Sequence, residues 1–183
     1  MRNRTILRGL ALAGVASLSL AIGVGGAAAG GNGKAIGKLS AKQCSQEKKA
    51  MGKDAFDQLY GKPSQPNCMA AARSTVAPTV KNSSQECKAE RADLGAEAFA
   101  NKYGSNKNRK NAFGKCVSRK ATPEVNAETA KRVNAAQACK AEQQDPNFPT
   151  THESKTFGEF YGSNPNDANA FGKCVSTKVE TTA

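Results

Sequence analysis

Three copies of one cysteine-containing pattern follow each other along the chain, and this repeat constrains the fold more than any other feature. The clearest copy runs from Cys87 to Lys120, and an altered copy runs from Cys139 to Lys178. A further copy begins at Cys44 and is shortened. Each copy carries two cysteines. The sequence therefore predicts three tandem units with one cysteine pair in each.

The first 29 residues have the composition of a secretory signal peptide. Three arginines and no acid lie in the first eight residues, residues 10–26 are apolar and small, and residues 27–29 are alanines suited to a signal peptidase. A retained membrane anchor is the alternative, but glycines and serines make this run less apolar than a span of about 20 residues requires. We therefore expect cleavage after Ala29, no membrane span in the mature protein, and secretion or attachment to the cell envelope.

The mature chain is too polar to be held together by an apolar core alone. Cleavage would leave 154 residues with a formal charge of +9, because the signal peptide carries three of the positive charges behind the full chain's +12. Aromatic residues make up 5% of the sequence, tryptophan is absent and the mean hydropathy is −0.57. Each unit is far below the size at which a core suffices, so covalent cross-links are expected.

All six cysteines follow the signal peptide, and an even number of cysteines in an exported chain indicates disulfides. Fifteen pairings are possible, and the repeat favours the one that joins the two cysteines of each unit. These pairs are Cys44–Cys68, Cys87–Cys116 and Cys139–Cys174. Disulfides that close loops of this size stabilise a fold by about 3–4 kcal/mol each. A zinc site is the alternative, but zinc ligands cluster at short spacing and His152 is the one histidine, so we predict no metal and no other cofactor.

Each unit also carries the pattern of two helices. A phenylalanine and a tyrosine four positions apart, which share one face of a helix, are followed at once by a glycine typical of a helix end. These triplets are Phe56, Tyr60 and Gly61; Phe99, Tyr103 and Gly104; and Phe157, Tyr161 and Gly162. Phe113, Cys116 and Val117 have the spacing of a second helix. The predicted fold class is all-α, with three tandem αα-hairpins that are each pinned by one disulfide.

The first helix of unit two is predicted to span residues 86–103, with Cys87, Leu94 and Ala98 on its apolar stripe. Ser83 and Glu86 have the spacing of a capping box at its start. Other helix starts are predicted at the capping side chains Ser40, Asn108 and Asn166.

The unit boundaries follow from composition. We predict a glycine-rich flexible tail at 30–38, a shortened unit one at 39–76, unit two at 81–121 and unit three at 123–179. A proline with asparagine and serines predicts a linker at 77–84, and Pro123 predicts a helix start. The alanine-rich stretch 124–141 is predicted to be one helix that joins units two and three.

Unit three contains an insertion at 144–153. Pro146 and Pro149 within it cannot continue a helix, so the helix is expected to end there. We expect Phe148, between these prolines, to cover the core of this unit.

Positive charge is concentrated in unit two, where residues 81–120 carry a formal charge of +6. A basic patch of this kind can bind polyanions through phosphate or sulfate groups, but the pattern favours a solvated face that keeps the protein soluble. Unit three has Pro165, Asp167 and Ala168 at three matching positions, so a binding role would belong to unit two. The candidate residues are Lys107, Arg109, Lys110, Lys115, Arg119 and Lys120.

Other chemistry finds little support in the sequence. The asparagine-rich loop around Asp167 lacks the several carboxylates of a calcium site. The phenylalanine–tyrosine pairs have the spacing of core residues rather than of stacking platforms. A nucleophilic mechanism would depend on His152, which lies in the proline-containing insertion.

The segments YGSNKNRKNAFGKCVS (103–118) and YGSNPNDANAFGKCVS (161–176) resemble small exported bacterial proteins with repeats of the form C…AF…YGxN…NAFGKCVS. This resemblance covers units two and three well and unit one in its first half. It implies export and repetition, and it assigns no activity, cofactor or functional residue.

The sequence as a whole indicates an exported, non-enzymatic binding or structural protein, with weak binding of anionic cell-envelope polymers as the leading hypothesis. A secreted nucleic-acid-binding protein is the alternative, which export and aromatic residues in the core disfavour. A secreted hydrolase is a further alternative that lacks a recognisable set of catalytic residues.

Overall fold

The computed structural model describes residues 29–181, and within this range it contains eight α-helices and no strand. The predicted all-α class is confirmed. The predicted signal peptide, residues 1–29, lies outside the described residues except for Ala29, where the first helix begins. The helices are α1 (Ala29–Met51), α2 (Lys53–Tyr60), α3 (Ser64–Leu94), α4 (Ala96–Tyr103), α5 (Ala112–Gln144), α6 (Phe148–Thr151), α7 (Phe157–Tyr161) and α8 (Ala170–Thr181).

Three long helices form the centre of the molecule. Helices α1, α3 and α5 all pack against each other, and α8 packs against α5. Short connections through α2 and α4 turn the chain back each time, so α3 runs antiparallel to α1 and α5 runs antiparallel to α3. The ends of α1 and α5 therefore lie at the same end of the bundle, together with α8.

Helices α3 and α5 are each shared by two units, so the linker predicted between units one and two is wrong. The expected linker at 77–84 lies inside α3, which contains Pro78, and the expected helix start at Pro123 lies inside α5. A proline inside a helix costs about 3 kcal/mol, but burial of an apolar stripe can outweigh local propensity. Val76 and Val80, on either side of Pro78, are almost fully buried. The prediction that 124–141 is helical is confirmed.

The glycine-rich segment 30–38 is helical, so the predicted flexible tail is wrong. Ala35 and Leu39, one turn apart, are 5% and 6% exposed and pack into the core of unit two. Two buried side chains on one face supply the contacts that hold a segment of poor helix propensity in a helix. Ser40 is not an N-cap, because it lies inside α1 and is wholly buried.

The buried apolar residues form two clusters, one at each end of the bundle. Units one and three share the first cluster, in which Phe56 and Phe171 lie together with Phe148 from the insertion. Unit two forms the second cluster around Phe99, and the start of α1 completes it. The helix α5 ends at Gln144 and Phe148 is 2% exposed, so both predictions for the insertion are confirmed.

The helix predicted at 86–103 is broken at Gly95, where α3 ends and α4 begins. Gly95 has φ 79°, and Gly52 has φ 84° at the same place in unit one. This left-handed backbone conformation is one that glycine adopts without strain. The break changes the direction of the chain, so Phe99 is buried while Leu94 is 43% exposed and Ala98 is also exposed, against their predicted places on the apolar stripe. Ser83 is buried inside α3 and therefore forms no capping box.

The six cysteines pair within the units, as the repeat predicts. The Cα atoms are 5.9 Å apart in Cys44–Cys68, 6.1 Å apart in Cys87–Cys116 and 5.9 Å apart in Cys139–Cys174. All six side chains are completely buried. Each disulfide therefore lies inside a core cluster rather than at the surface.

Gly104 is predicted to be irreplaceable for steric reasons. It is the C-cap of α4 and has an extended backbone, and a Cβ there would lie 2.6 Å from both Ala100 O and Arg109 Cβ. We expect Gly104→Ala to lower the free energy of unfolding by about 1–3 kcal/mol. Gly114, inside α5 with no atom within 4 Å of its added Cβ, is the control, since Gly114→Ala should stabilise by up to about 1 kcal/mol. Chemical denaturation of the oxidised proteins measures both, and equal stabilities of the two variants would contradict the close approach.

Candidate functional site

Three of the basic candidate residues of unit two lie on the loop 104–111, which joins α4 to α5, and the other three lie near the start of α5. Asn111 closes this loop, because its Oδ1 accepts a hydrogen bond from Ser105 N (3.0 Å) and its Nδ2 donates to Ser105 Oγ (2.8 Å). Within the loop, Asn108 Oδ1 accepts from Lys110 N at 3.2 Å and from Asn106 Nδ2 at 2.8 Å. The loop therefore has a fixed conformation that its own side chains maintain.

Unit three builds the same loop at 162–169 with different charges. Asn169 Oδ1 accepts from Ser163 N at 3.1 Å, and Asn169 Nδ2 donates to Ser163 Oγ at 2.7 Å. Asp167 has φ 51°, and Arg109 at the matching position has φ 52°. The two loops thus share a conformation, while one is cationic and the other is neutral to acidic.

Asn108 and Asn166 do not cap the following helices, which corrects their predicted role. Asn111 occupies the N-cap position of α5, and α8 begins one residue after Asn169. Asn108 and Asn166 instead accept hydrogen bonds from backbone N–H groups two residues further on. These are Asx-turns, in which a short side chain replaces a backbone acceptor.

The six predicted basic residues fall into two groups. Five are exposed, and within residues 29–181 none of these five forms an ion pair. The exposed group consists of Lys107, Arg109, Lys110, Lys115 and Arg119.

Arg119 and Lys120 are engaged within unit two. The Arg119 guanidinium carbon lies 5.5 Å from the centre of the Tyr103 ring. Lys120 Nζ lies 3.3 Å from Glu90 Oε2 and 3.4 Å from Glu86 Oε2. Within the described residues a polyanion would therefore meet five cations without a carboxylate partner, while Lys120 is held by Glu86 and Glu90.

The sequence patterns considered above did not include one feature of the repeat. A glutamate lies three residues after the first cysteine of every unit. Glu47, Glu90 and Glu142 follow Cys44, Cys87 and Cys139 in this way. Each glutamate accepts a hydrogen bond from the tyrosine hydroxyl of its own unit. The pattern C-x-x-E was visible, and its meaning depends on the tyrosine that the fold brings to it.

Each of these carboxylates also pairs with a cation. In units two and three the cation is the lysine four residues after the second cysteine; Lys178 Nζ lies 2.6 Å from Glu142 Oε1, and Lys120 bonds Glu90. In unit two Lys102 Nζ adds a further contact to Glu90 Oε1 at 2.7 Å. These interactions join the two helices of a unit beside its disulfide.

Unit one has Ala72 where the other units have this lysine, and Arg132 of α5 replaces it. Arg132 Nε lies 3.2 Å from Glu47 Oε1, and the Arg132 guanidinium donates to Tyr60 Oη at 3.0 Å. Gln43 Nε2 also donates to Glu47 Oε1, at 2.9 Å. Glu47 is completely buried, so this network fixes unit one to the helix that begins unit three.

The environment of these groups changes their acidity. The hydrogen bonds from Lys102 and Tyr103 lower the pKa of Glu90 to about 2, although desolvation opposes the change. Burial raises the pKa of Tyr161 to about 12, and the hydrogen bond to Glu142 adds to the rise. Glu90 therefore stays ionised and Tyr161 stays protonated across the physiological pH range, so both hydrogen bonds are kept.

The insertion in unit three places His152 in an aromatic cluster. Its ring stacks on Phe148 with centroids 3.7 Å apart, and the edge of Phe160 meets it at 4.7 Å. His152 Nδ1 lies 2.9 Å from both Phe148 O and Thr151 Oγ1. The histidine therefore has a packing role around Phe148, with Phe160 40% exposed beside it.

Comparisons with protein-family models, curated proteins and solved structures find no match to this chain. The resemblance of its repeats to small exported proteins therefore stays a prediction. In residues 29–181, no helix is long and apolar enough to cross a membrane. The same residues contain no group of three or more histidine, cysteine or acidic side chains that could hold a metal ion.

We expect Arg132→Met to destabilise the protein strongly, because it leaves the buried Glu47 carboxylate without its cation. Loss of one partner of a buried pair costs about 3–5 kcal/mol. Lys53→Met is the control, since Lys53 is 70% exposed in its pair with Asp57 and such pairs contribute about 0–1 kcal/mol. Urea denaturation compares the two, and adding Glu47→Gln should recover part of the loss. If Arg132→Met and Lys53→Met lowered the free energy of unfolding equally, the role of the network would be contradicted.

The lowered pKa of Glu90 predicts how stability depends on acid. A carboxylate whose pKa lies below its ordinary value of 4.5 stabilises the fold above that pH, and the stabilisation is lost as the pH falls towards the folded pKa of about 2. Glu90→Gln should therefore be less stable than the wild type above pH 4.5, with the difference shrinking between pH 4.5 and pH 2. Denaturation at a series of pH values measures this, and a difference independent of pH would show that Glu90 acts by shape rather than by charge.

Proposed function

We propose that the protein is exported and binds anionic polymers of the cell envelope, without catalysing a reaction, through the basic loop of unit two. One observation carries this proposal: three exposed cations, Lys107, Arg109 and Lys110, lie on a loop of fixed conformation and have no carboxylate partner in the described part of the chain. Their charge is available to an external anion because no internal ion pair has to be broken.

The physical basis of binding is electrostatic. A polyanion that contacts lysine and arginine releases its condensed counterions, so affinity falls steeply as salt rises. The Ser105–Asn111 bonds hold the loop before binding, which reduces the ordering cost of association. Arg109 has φ 52°, so Lys107, Arg109 and Lys110 lie on an irregular loop rather than along one helix face.

The class of polymer follows from the location that the chain predicts. The three disulfides are compatible with an extracellular location, and the N-terminal sequence predicts export. An exported basic protein meets the phosphate, sulfate or carboxylate groups of envelope polymers first. Nucleic acid is disfavoured as the ligand because Phe99 and Tyr103, which could stack on bases, are buried in the core.

Exchanging the two loops tests the proposal. The variant Lys107→Pro, Arg109→Asp, Lys110→Ala gives unit two the residues of unit three, whose loop has the same backbone conformation. We expect its affinity for isolated anionic envelope polymer at low salt to fall about tenfold or more, and the dependence on salt to weaken by roughly one contact for each cation removed.

A control variant with the same change in net charge separates local from general electrostatics. It neutralises four exposed lysines elsewhere, namely Lys42, Lys49, Lys62 and Lys173, each to glutamine. The reverse exchange, Pro165→Lys, Asp167→Arg, Ala168→Lys, should strengthen binding. An equal loss in the control would overturn the loop as the site. Tighter binding of duplex DNA than of envelope polymer at the same salt would overturn the polymer class in favour of nucleic acid.

A further inference from the structure

Two segments of the chain that follow and precede long helices carry opposite charge. The segment 91–119 of unit two contains seven lysines and arginines and two acids, which gives a formal charge of +5. The segment 145–167 of unit three contains four acids and one lysine, which gives a formal charge of −3. Net negative charge over such a length is an exception in a chain whose formal charge is +12.

These two segments lie at opposite ends of the molecule. The basic loop 104–111 leads into the start of α5, and the acidic segment follows the end of α5. Since α5 has 33 residues, it is about 50 Å long. The disulfide Cys139–Cys174 ties the start of α8 to the end of α5, so the loop 162–169 also lies at the unit-three end. One molecule therefore cannot bring its own basic and acidic segments together.

Two carboxylates at the unit-three end are open to a cation from outside. Asp145 is exposed and Asp167 is half-buried, and within residues 29–181 neither forms an ion pair. One oxygen of Asp145 accepts a backbone hydrogen bond at 2.8 Å, which leaves its other oxygen free to bind. The other two acids are engaged, because Glu153 pairs with Lys155 at 2.8 Å and Glu159 caps α7. The unpaired cations of unit two thus have unpaired anions as a counterpart at the other end.

Each end also exposes one large apolar side chain. Leu94, at the end of α3 in unit two, is 43% exposed, and Phe160, in α7 of unit three, is 40% exposed. Phe160 is held in place by its edge contacts with the rings of His152 and Phe148, at 4.7 Å and 5.8 Å. A single exposed apolar side chain is ordinary, but its burial next to paired charges would add a short-range contact to their attraction.

We propose that copies of this protein associate head to tail, with the unit-two end of one copy docked on the unit-three end of the next. The two surfaces differ and lie at opposite ends, so the contact is heterologous and extends to open chains rather than closing. The overall positive charge opposes association, so the contact is weak and depends on this local complementarity. The inference does not rest on polymer binding, although polymer and a second copy would compete for the same cations.

Sedimentation equilibrium of the oxidised protein, in polymer-free buffer at low salt, tests the proposal. We expect the average mass to rise with protein concentration, with a Kd of about 0.1–1 mM for each contact, and to return to that of a monomer at about 0.5 M salt. The variant Asp145→Asn, Asp167→Asn keeps the acceptor oxygens and should weaken association about fivefold or more. The control Glu124→Gln, Glu180→Gln changes the net charge equally at exposed positions outside both segments and should associate as the wild type does.

Mixing two variants identifies the surfaces. The variant Lys107→Pro, Arg109→Asp, Lys110→Ala keeps only the unit-three surface, and the Asp145 and Asp167 variant keeps only the unit-two surface. Each alone should remain a monomer where the wild type associates, while an equimolar mixture should form dimers and nothing larger. Circular dichroism equal to that of the wild type checks that both variants are folded.

Three results would overturn the head-to-tail contact. The wild type could stay a monomer at about 1 mM protein and low salt, each variant alone could associate as strongly as the wild type, or the mixture of folded variants could stay monomeric. Self-association without any binding of envelope polymer would overturn the proposed function and leave this inference standing.

Discussion

The disulfide inside each unit is the constraint on which the rest of the structure depends. All six cysteines are completely buried and belong to the two apolar clusters, so the cross-links stand where a larger protein would place bulky apolar side chains. In a chain with few aromatic residues, each disulfide holds the two helices of its unit together at one fixed point. The neighbouring glutamate, tyrosine and cation then add directional contacts to the same pair of helices.

The sharing of α3 and α5 turns three small units into one bundle. A unit with one disulfide and a few apolar residues cannot bury enough surface alone, and a continuous helix makes the core of one unit the support of the next. Arg132 shows the same dependence in detail. Unit one has Ala72 at the position of the lysine in the other units, and Arg132 of α5 supplies the cation instead. The units are therefore not independent, although their sequences repeat.

Much of the local structure could be predicted from the sequence, since it depends on short-range patterns. The all-α class, the pairing of the cysteines, the glycines after each tyrosine and the helix break after Gln144 are of this kind. The features that were missed depend on tertiary contacts. Pro78 and the glycine-rich start of α1 have poor helix propensity, which Val76, Val80, Ala35 and Leu39 overcome only because a neighbouring helix buries them.

The candidate sites divide in the same way. The basic residues of unit two were visible in the sequence, but the engagement of Arg119 and Lys120 with Tyr103 and Glu90 was not, because it requires the helices to meet. The role of the C-x-x-E pattern likewise becomes visible only once the fold places the tyrosine of each unit beside its glutamate.

Hydrogen exchange at the backbone amides of residues 79–84 tests the central claim, that α3 continues from unit one into unit two. The oxidised wild-type protein should protect these amides as strongly as those around Cys68 and Cys87, because all belong to one cooperative bundle. Exchange at the rate of an unstructured peptide would contradict the claim. It would mean that this stretch is a linker and that the units are joined as separate hairpins.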